Sequence, residues 1–319
     1  MSAGPACPAC GEGRTAELEG ADVATLARAW ARQPHLAGVR GEARLAAEIH
    51  DDLGVERVCF LGCADCGLEF ADPMRAWSAG NYPDEGYGLA FDHLRSLELL
   101  RGSPPLRLLE VGCAEGRFLE RAAARGHRAT GLDFTARAVE AARGRGLDAR
   151  VGDVSTLRAA LAPGDRFEAV AMFQIIEHLC DPGAVFRDLA EVVVPGALLL
   201  VGCPSDRRYT RRVAHPGRVG RSDFWDWPPQ HTLRWSERSL RRFLARQGWR
   251  VERVEHEPFS PVGAAAHLAA LRGAGRWDGR PLRRRVETLR ALAEVAAARV
   301  AGPLSGVRLL AAARKEGAG

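Results

Sequence analysis

The sequence predicts an α/β chain: a seven-stranded sheet with helices on both faces, behind a small cysteine-bearing N-terminal module. Three observations predict it. Segments rich in Val, Leu and Ala alternate with helical patterns from about residue 106 to 205, as in a parallel sheet covered on both sides. Several of those apolar runs end in an acidic residue, and the first leads into a glycine turn. Two C-x-x-C-G segments, Cys7-Pro8-Ala9-Cys10-Gly11 and Cys63-Ala64-Asp65-Cys66-Gly67, flank a helical stretch ahead of the sheet.

The first strand reads Leu108-Leu109-Glu110-Val111, followed by Gly112-Cys113-Ala114-Glu115-Gly116 and a helix opening at Arg117-Phe118-Leu119. Glycine is needed where a turn is tight or a ligand approaches the backbone. The spacing is not the G-x-G-x-x-G of a pyrophosphate site, and Glu110 just ahead would repel phosphate but suit a cation. A positively charged nucleoside is implied, and S-adenosylmethionine fits. The second strand, Arg128 to Asp133, ends in an acid about 20 residues on, where a ribose-binding carboxylate belongs. The third, Leu147 to Asp153, also ends in an acid; Phe167 to Gln174 is the fourth and Ala197 to Val201 the fifth. Ser236 to Gln247 is an amphipathic helix, and Trp249 to Glu255 a sixth strand. Arg283 to Val300 is helical in pattern. The segment 306–314 is read as a seventh, antiparallel strand, although its alanines also favour helix.

From Leu106 to Val254 the chain resembles the class I, Rossmann-like S-adenosylmethionine-dependent methyltransferases. It is most similar to ubiquinone-pathway and natural-product or sugar methyltransferases, whose fourth strand leads into a Glu-His pair; here that segment is Phe173-Gln174-Ile175-Ile176-Glu177-His178. Ala114 departs from the family, which carries glycine there. The resemblance implies that Glu110 lies near the methionine ammonium and that Gly112, Cys113 and Gly116 pass the amino-acid part. It places Asp133 on the ribose, Asp153 on the adenine amino group, Phe134 and Val154 on either side of the ring, and Phe173 and Gln174 beside the reacting sulfur.

Composition sets the broad class. The chain has 319 residues, 46% hydrophobic and 27% charged, with a formal net charge of +5, as in an ordinary soluble protein large enough for one big domain and a small one. Its basic residues are arginines apart from Lys315. No apolar run approaches a membrane span, and Met1 to Cys7 does not read as a signal peptide. A cytoplasmic protein is expected, in which eight cysteines are thiols or metal ligands.

Cys7, Cys10, Cys63 and Cys66 form two matched knuckles; four thiolates make a closed tetrahedral, structural zinc site. A redox C-x-x-C or an iron–sulfur cluster is the alternative. The reading is a zinc ribbon over residues 1–73, with halves at 1–20 and 55–72 around a helical insert at about Ala21–Ala31 and Glu42–Asp52. Cys59, Cys113, Cys180 and Cys203 lack ligand spacing and read as small apolar residues. Residues 74–105 are a linker, with Tyr82 and Tyr87, and a cofactor-covering helix near Phe91–Arg101. The methyltransferase region, 106–319, carries an arginine-rich loop at 206–221 and a helical insertion at 260–305.

Methyl transfer is an in-line displacement at carbon, so the protein mainly orients and desolvates the nucleophile. His178 is the first candidate base and His231 the second; they act together, or hold a divalent ion with Glu177, or serve structure. The tryptophans flanking His231 are candidates for a substrate wall, and the arginine-rich loop for a lid over an anionic or carrier-linked acceptor. The leading reading is transfer of a methyl group to a small-molecule acceptor in a biosynthetic pathway, O-methylation first and N- or C-methylation next. The alternatives are an RNA methyltransferase and a non-catalytic S-adenosylmethionine-binding partner protein. The mild charge and the lack of a basic, aromatic-rich stretch in the cysteine module argue against nucleic acid. No membrane partner is expected, and oligomeric state is not readable.

Overall fold

The computed structural model describes residues 5–31, 41–77, 88–215, 218–273 and 281–317. The tyrosines of the linker, Tyr82 and Tyr87, lie outside the described residues.

The N-terminal part is built from β1 (Thr15–Asp22), α1 (Val23–Ala31), α2 (Glu42–Leu53), β2 (Arg57–Cys63) and β3 (Glu69–Asp72). β1, β2 and β3 pair antiparallel in that order, so the second knuckle sits on the β2–β3 hairpin. The helix expected from Ala21 starts at Val23, because Ala21 and Asp22 still pair with Val58 and Arg57 on β2. Leu26 and Trp30 of α1 and Leu45, Ile49 and Leu53 of α2 close over Val58 and Phe60 in one apolar core.

The second part runs α3 (Phe91–Leu99), β4 (Arg107–Val111), α4 (Arg117–Ala123), β5 (Arg128–Asp133), α5 (Ala136–Gly144), β6 (Asp148–Val151), α6 (Leu157–Ala160), β7 (Phe167–Phe173), α7 (Pro182–Val192) and β8 (Val193–Pro204). Next come the short strands β9 (Arg218–Val219), β10 (Ser222–Asp223) and β11 (Leu233–Arg234), then α8 (Glu237–Arg246), β12 (Trp249–His256), α9 (Pro261–Gly273), α10 (Pro281–Val300) and β13 (Arg308–Lys315).

Seven strands form one sheet in the order β12-β13-β8-β7-β4-β5-β6. β6, β5, β4, β7 and β8 are parallel, and β13 runs antiparallel between β8 and β12. The alanines of 308–315 therefore extend despite their helical preference, since five of these residues, Leu309 to Ala313, are buried between two strands. The order reverses at β4, so the crevice beyond its carboxyl end is the switch point where ligands of such sheets bind.

Period-two alternation separates the two faces. Leu109, Val170, Met172, Leu199 and Val201 pack against α7 and α8 and reach the cysteine knuckles through Leu68 and Phe70. Leu108, Ala169, Ala171, Leu198 and Leu200 pack against α3, α4 and α5. Caps fix the helix starts: Asp181 accepts from Ala184 N with Pro182 in the first turn of α7, and Ser236 and Ser239 form a reciprocal capping box on α8. No described helix is long and apolar enough to cross a membrane.

One feature was not anticipated. β11 pairs with β3, completing the N-terminal sheet with a strand from after β8. The helical insertion expected at 260–305 is the pair α9 and α10, which pack on each other and on Tyr209 and Val213 of the arginine-rich loop.

Candidate active site

The cofactor half gathers at the ends of β4, β5 and β7. Gly112 and Gly116 have φ of 78° and 77°, and Ala114 has φ of 45°, so the turn needs left-handed backbone at three places. It is pinned by Asp133: Oδ2 accepts from Ala114 N at 2.9 Å and Oδ1 from Thr135 N at 2.8 Å. Gly112 N and Cys113 N donate to Leu132 O at 2.7 and 3.1 Å. Cys113 packs its sulfur against Gly131, where a Cβ would lie 2.6 Å away.

Glu110 is buried, and its Oε2 has no hydrogen-bond partner among the described residues. Burial, and then the charge of Asp133, push its carboxyl well above the usual range. Phe134 and Val154 are partly buried, and Asp153 is exposed, its Oδ1 accepting from Ser155 N at 2.7 Å. Phe173 stacks among His93 and Phe118, with ring centroids 4.4 and 4.9 Å away. Gln174 takes a left-handed φ of 57° and donates from Nε2 to Asp92 Oδ2 at 3.0 Å.

Asp92 is the site residue that sequence reasoning missed. It is fully buried on α3, beside Gly202. Burial opposes its ionisation, but His93, Arg308 and Gln174 outweigh burial and hold its carboxyl below the usual range. The only signal was a carboxylate in the first turn of a helix already assigned to cover the cofactor.

The acceptor half is the 3-10 turn Ile176–His178 after β7, together with the loop 226–235. Thr232 N donates to Glu177 O at 2.9 Å, Thr232 Oγ1 to Leu179 O at 3.0 Å, and Trp235 Nε1 to Ile176 O at 3.2 Å. The His178 and His231 rings meet edge to face with centroids 4.8 Å apart. His178 Nδ1 lies 2.5 Å from the Gln230 carbonyl, and His231 Nδ1 3.3 Å from Asp226 Oδ1. His231 is buried.

Burial, and then His231, lower the pKa of His178 to about 3 against the Gln230 and Gln174 carbonyls; burial, and then Arg208 and Arg234, lower that of His231 to about 3. Both rings are neutral at pH 7. Glu177 is 1% exposed, and burial pushes its carboxyl up to about 8, with Asp92 adding to the shift.

Of the arginines foreseen as a lid, Arg207, Arg208 and Arg211 are held by carboxylates of the protein itself. Arg208 is 2% exposed and pairs with Asp223 at 3.2 Å and with Asp226. Arg211 pairs with Glu69 at 2.9 Å, and Arg207 with Glu237 at 3.1 Å. Arg234 pairs with Glu19 at 2.5 Å and Glu69 at 3.3 Å and lies 3.4 Å over the Phe60 ring. The expected aromatic wall is also corrected. Trp227 is fully buried in the N-terminal core against Phe60, and Trp235 packs on Phe243, although it borders a small cavity with His231 and Arg208. Apolar area drew both rings inward.

The cysteine knuckles are built alike. Gly11 N donates to Cys7 O at 2.8 Å and Gly67 N to Cys63 O at 2.9 Å, with both glycines left-handed at 76° and 78°. All four sulfurs are buried and lie within 4.8 Å of one another; Cys7–Cys66 and Cys10–Cys63 are 3.5 Å apart. Four thiolates at about 2.3 Å from one ion would stand roughly 3.8 Å apart, so the set fits a tetrahedral metal. Of the other cysteines, Cys59, Cys113 and Cys203 are buried as expected, whereas Cys180 is exposed.

Residues 86–254, more than half of the chain, match the family described as a methyltransferase domain. The ubiquinone biosynthesis O-methyltransferase of Cereibacter sphaeroides is 31% identical over 138 residues, covering 41% of this chain and 53% of that protein. That of Bradyrhizobium sp. is 30% identical over 148 residues, covering 45% and 55%. The chain spans about half the length of the curated relatives it matches. A solved S-adenosylmethionine-dependent methyltransferase from Mesorhizobium loti aligns over 70% of this chain and 98% of its own, at 18% identity and a TM-score of 0.46. The chain belongs to the methyltransferase-domain family, with the seven-stranded sheet of its class I, Rossmann-like members.

Proposed function

We propose that the protein transfers a methyl group from S-adenosylmethionine to a small-molecule acceptor in a biosynthetic pathway, most readily at oxygen. The carrying observation is a buried carboxyl group, Glu110, with an oxygen that has no hydrogen-bond partner among the described residues, beside a left-handed glycine turn at the switch point. A buried lone acceptor is costly unless a donor or cation meets it, and the ammonium of S-adenosylmethionine supplies one. Gly112, Cys113 and Gly116 would line the amino-acid part, Asp133 and Asp153 the ribose and adenine, Phe134 and Val154 the ring faces, and Phe173 and Gln174 the sulfur. The cofactor, when bound, supplies an electrophilic methyl group.

On the acceptor side, Glu177, His178 and His231 are the polar groups that would orient a hydroxyl and receive its proton. The neutral rings can accept a proton, although burial makes each a weak base. The four cysteines would hold a structural zinc with no position open to water. The ubiquinone O-methyltransferase relatives support oxygen as the target atom; the mild net charge supports a small acceptor over RNA.

The test is transfer of labelled methyl to a panel of phenolic, sugar and amine acceptors, with ribosomal RNA alongside. Label on a small hydroxyl compound, lost in the Glu110→Gln variant, is expected. Label on RNA alone would overturn the acceptor class.

A further inference from the structure

Helix α10 has two apolar faces, and the fold uses one of them. Ala291 and Val295 are buried in the cluster that α10 forms with α9, and Leu292 and Ala298 pack at its edge. On the opposite side Leu282, Val286, Leu289, Ala293, Ala296 and Val300 follow one another in alternate steps of four and three residues. At about 3.6 residues per turn, that spacing draws one stripe along the whole helix, the pattern of a helix-pairing seam. All six residues are exposed, Leu282 to 72%, Val286 to 59%, Leu289 to 67% and Val300 to 90%. A surface helix ordinarily turns a polar face to water, and a contiguous apolar run on the outer face marks an interaction surface.

The stripe is bordered by one sign of charge. Arg283 and Arg290 lie along one edge and Arg285 and Arg299 along the other, with no acidic residue at the flanking positions. Arg290 reaches Glu294 at 3.3 Å, whereas Arg283, Arg285 and Arg299 form no ion pair among the described residues. The two acids of the helix, Glu287 and Glu294, both pair with Arg272 of α9. Flanking charges of this kind select the partner of a helical seam.

We propose that the outer face of α10 docks an amphipathic helix of a partner protein, one that carries aspartate or glutamate on both sides of its apolar ridge. A second copy of this chain fits poorly, because pairing two such stripes, parallel or antiparallel, sets arginine against arginine. A lipid surface fits poorly too. An interfacial helix buries a face carrying tryptophan, phenylalanine and leucine, whereas this seam is narrow, has no aromatic residue and continues in Ala293 and Ala296, where a facing helix can approach closely. The surface belongs to the insertion between β12 and β13; the proposal goes beyond the methyl-transfer reading and does not depend on it.

The experiment follows the fluorescence anisotropy of a labelled synthetic helix of about three heptads, with leucine along the seam and glutamate on both flanks, titrated with the full-length protein. Saturable binding is expected, weaker as salt is raised, and absent for a peptide of the same composition in scrambled order. Leu289→Asp should weaken it roughly tenfold or more, the effect of losing one buried leucine, and Arg285→Glu combined with Arg290→Glu should weaken it as well. All three residues are exposed, so the substitutions leave the core intact, and an unchanged circular dichroism spectrum checks this. No binding of the glutamate-flanked helix overturns the proposal, as does equal binding of the scrambled peptide or undiminished affinity in the variants. Sedimentation equilibrium of the protein alone and cosedimentation with phosphatidylglycerol vesicles run alongside. Dimerisation, or vesicle binding, that Leu289→Asp abolishes would assign the face to a second copy or to lipid and would equally overturn it.

Discussion

Ala114 occupies a left-handed turn position with φ of 45°, and its N–H is held by Asp133. A left-handed residue with a Cβ costs roughly 1–2 kcal/mol, and glycine's extra unfolded-state entropy offsets about 0.4–1 kcal/mol of any relief. Ala114→Gly is therefore expected to raise stability by up to about 1 kcal/mol in urea unfolding; a clear loss would contradict the strain. Asp133 pins the same turn and faces the proposed ribose site. Asp133→Ala should weaken S-adenosylmethionine binding by roughly 1–3 kcal/mol, read by calorimetry, and an unchanged affinity would sink that assignment. Asp223 carries a pH signature. Burial opposes its ionisation, but His215 and Arg208 outweigh burial and hold its pKa at about 2. A depressed carboxylate stabilises above its unfolded pKa and loses that contribution as pH falls through the folded value. Asp223→Asn should cost roughly 3 kcal/mol at pH 7, because Arg208 then keeps only Asp226 as its ion-pair partner. The gap should narrow by about 2 kcal/mol between pH 4 and pH 2; a gap independent of pH would exclude the ion pair as its cause.

At the scale of elements, the N-terminal sheet and the acceptor loop are one construction. β11 adds to β3, Glu19 of β1 and Glu69 of β3 anchor Arg234, and Thr232 ties the loop to the Glu177 turn. The cysteine knuckles hold the hairpin from which β3 emerges. Cys63→Ser should lose the metal and lower the unfolding midpoint while the β4–β5 turn keeps its shape; full zinc retention in this variant would refute the four-cysteine site. The individual elements were legible because their causes are local. The alternation of Leu108 and Leu109, the glycine spacing after Glu110 and the paired C-x-x-C-G turns all lie within a few residues. The β3–β11 pairing was not legible, since β11 is two residues long and its partner lies far away in sequence.

For the whole molecule, what stayed hidden in the sequence is charge pairing at long range. The reading placed Glu177, His178 and His231 together as candidates, and the structure brings their ligand atoms within 4.8 Å. It did not foresee Asp92 under Gln174, or that Glu69 and Asp223 would occupy Arg211 and Arg208 of the loop read as a lid. Ion pairs leave no periodic mark on a sequence, whereas buried strands do. The central claim is that the switch point of this sheet binds S-adenosylmethionine. Isothermal titration of the purified protein with S-adenosylmethionine and S-adenosylhomocysteine, with metal content measured on the same sample, tests it most directly. The account predicts saturable one-to-one binding of both, with zinc at the four cysteines. Binding of neither by folded, zinc-loaded protein would contradict it, and the methyl-transfer assignment would fall with it.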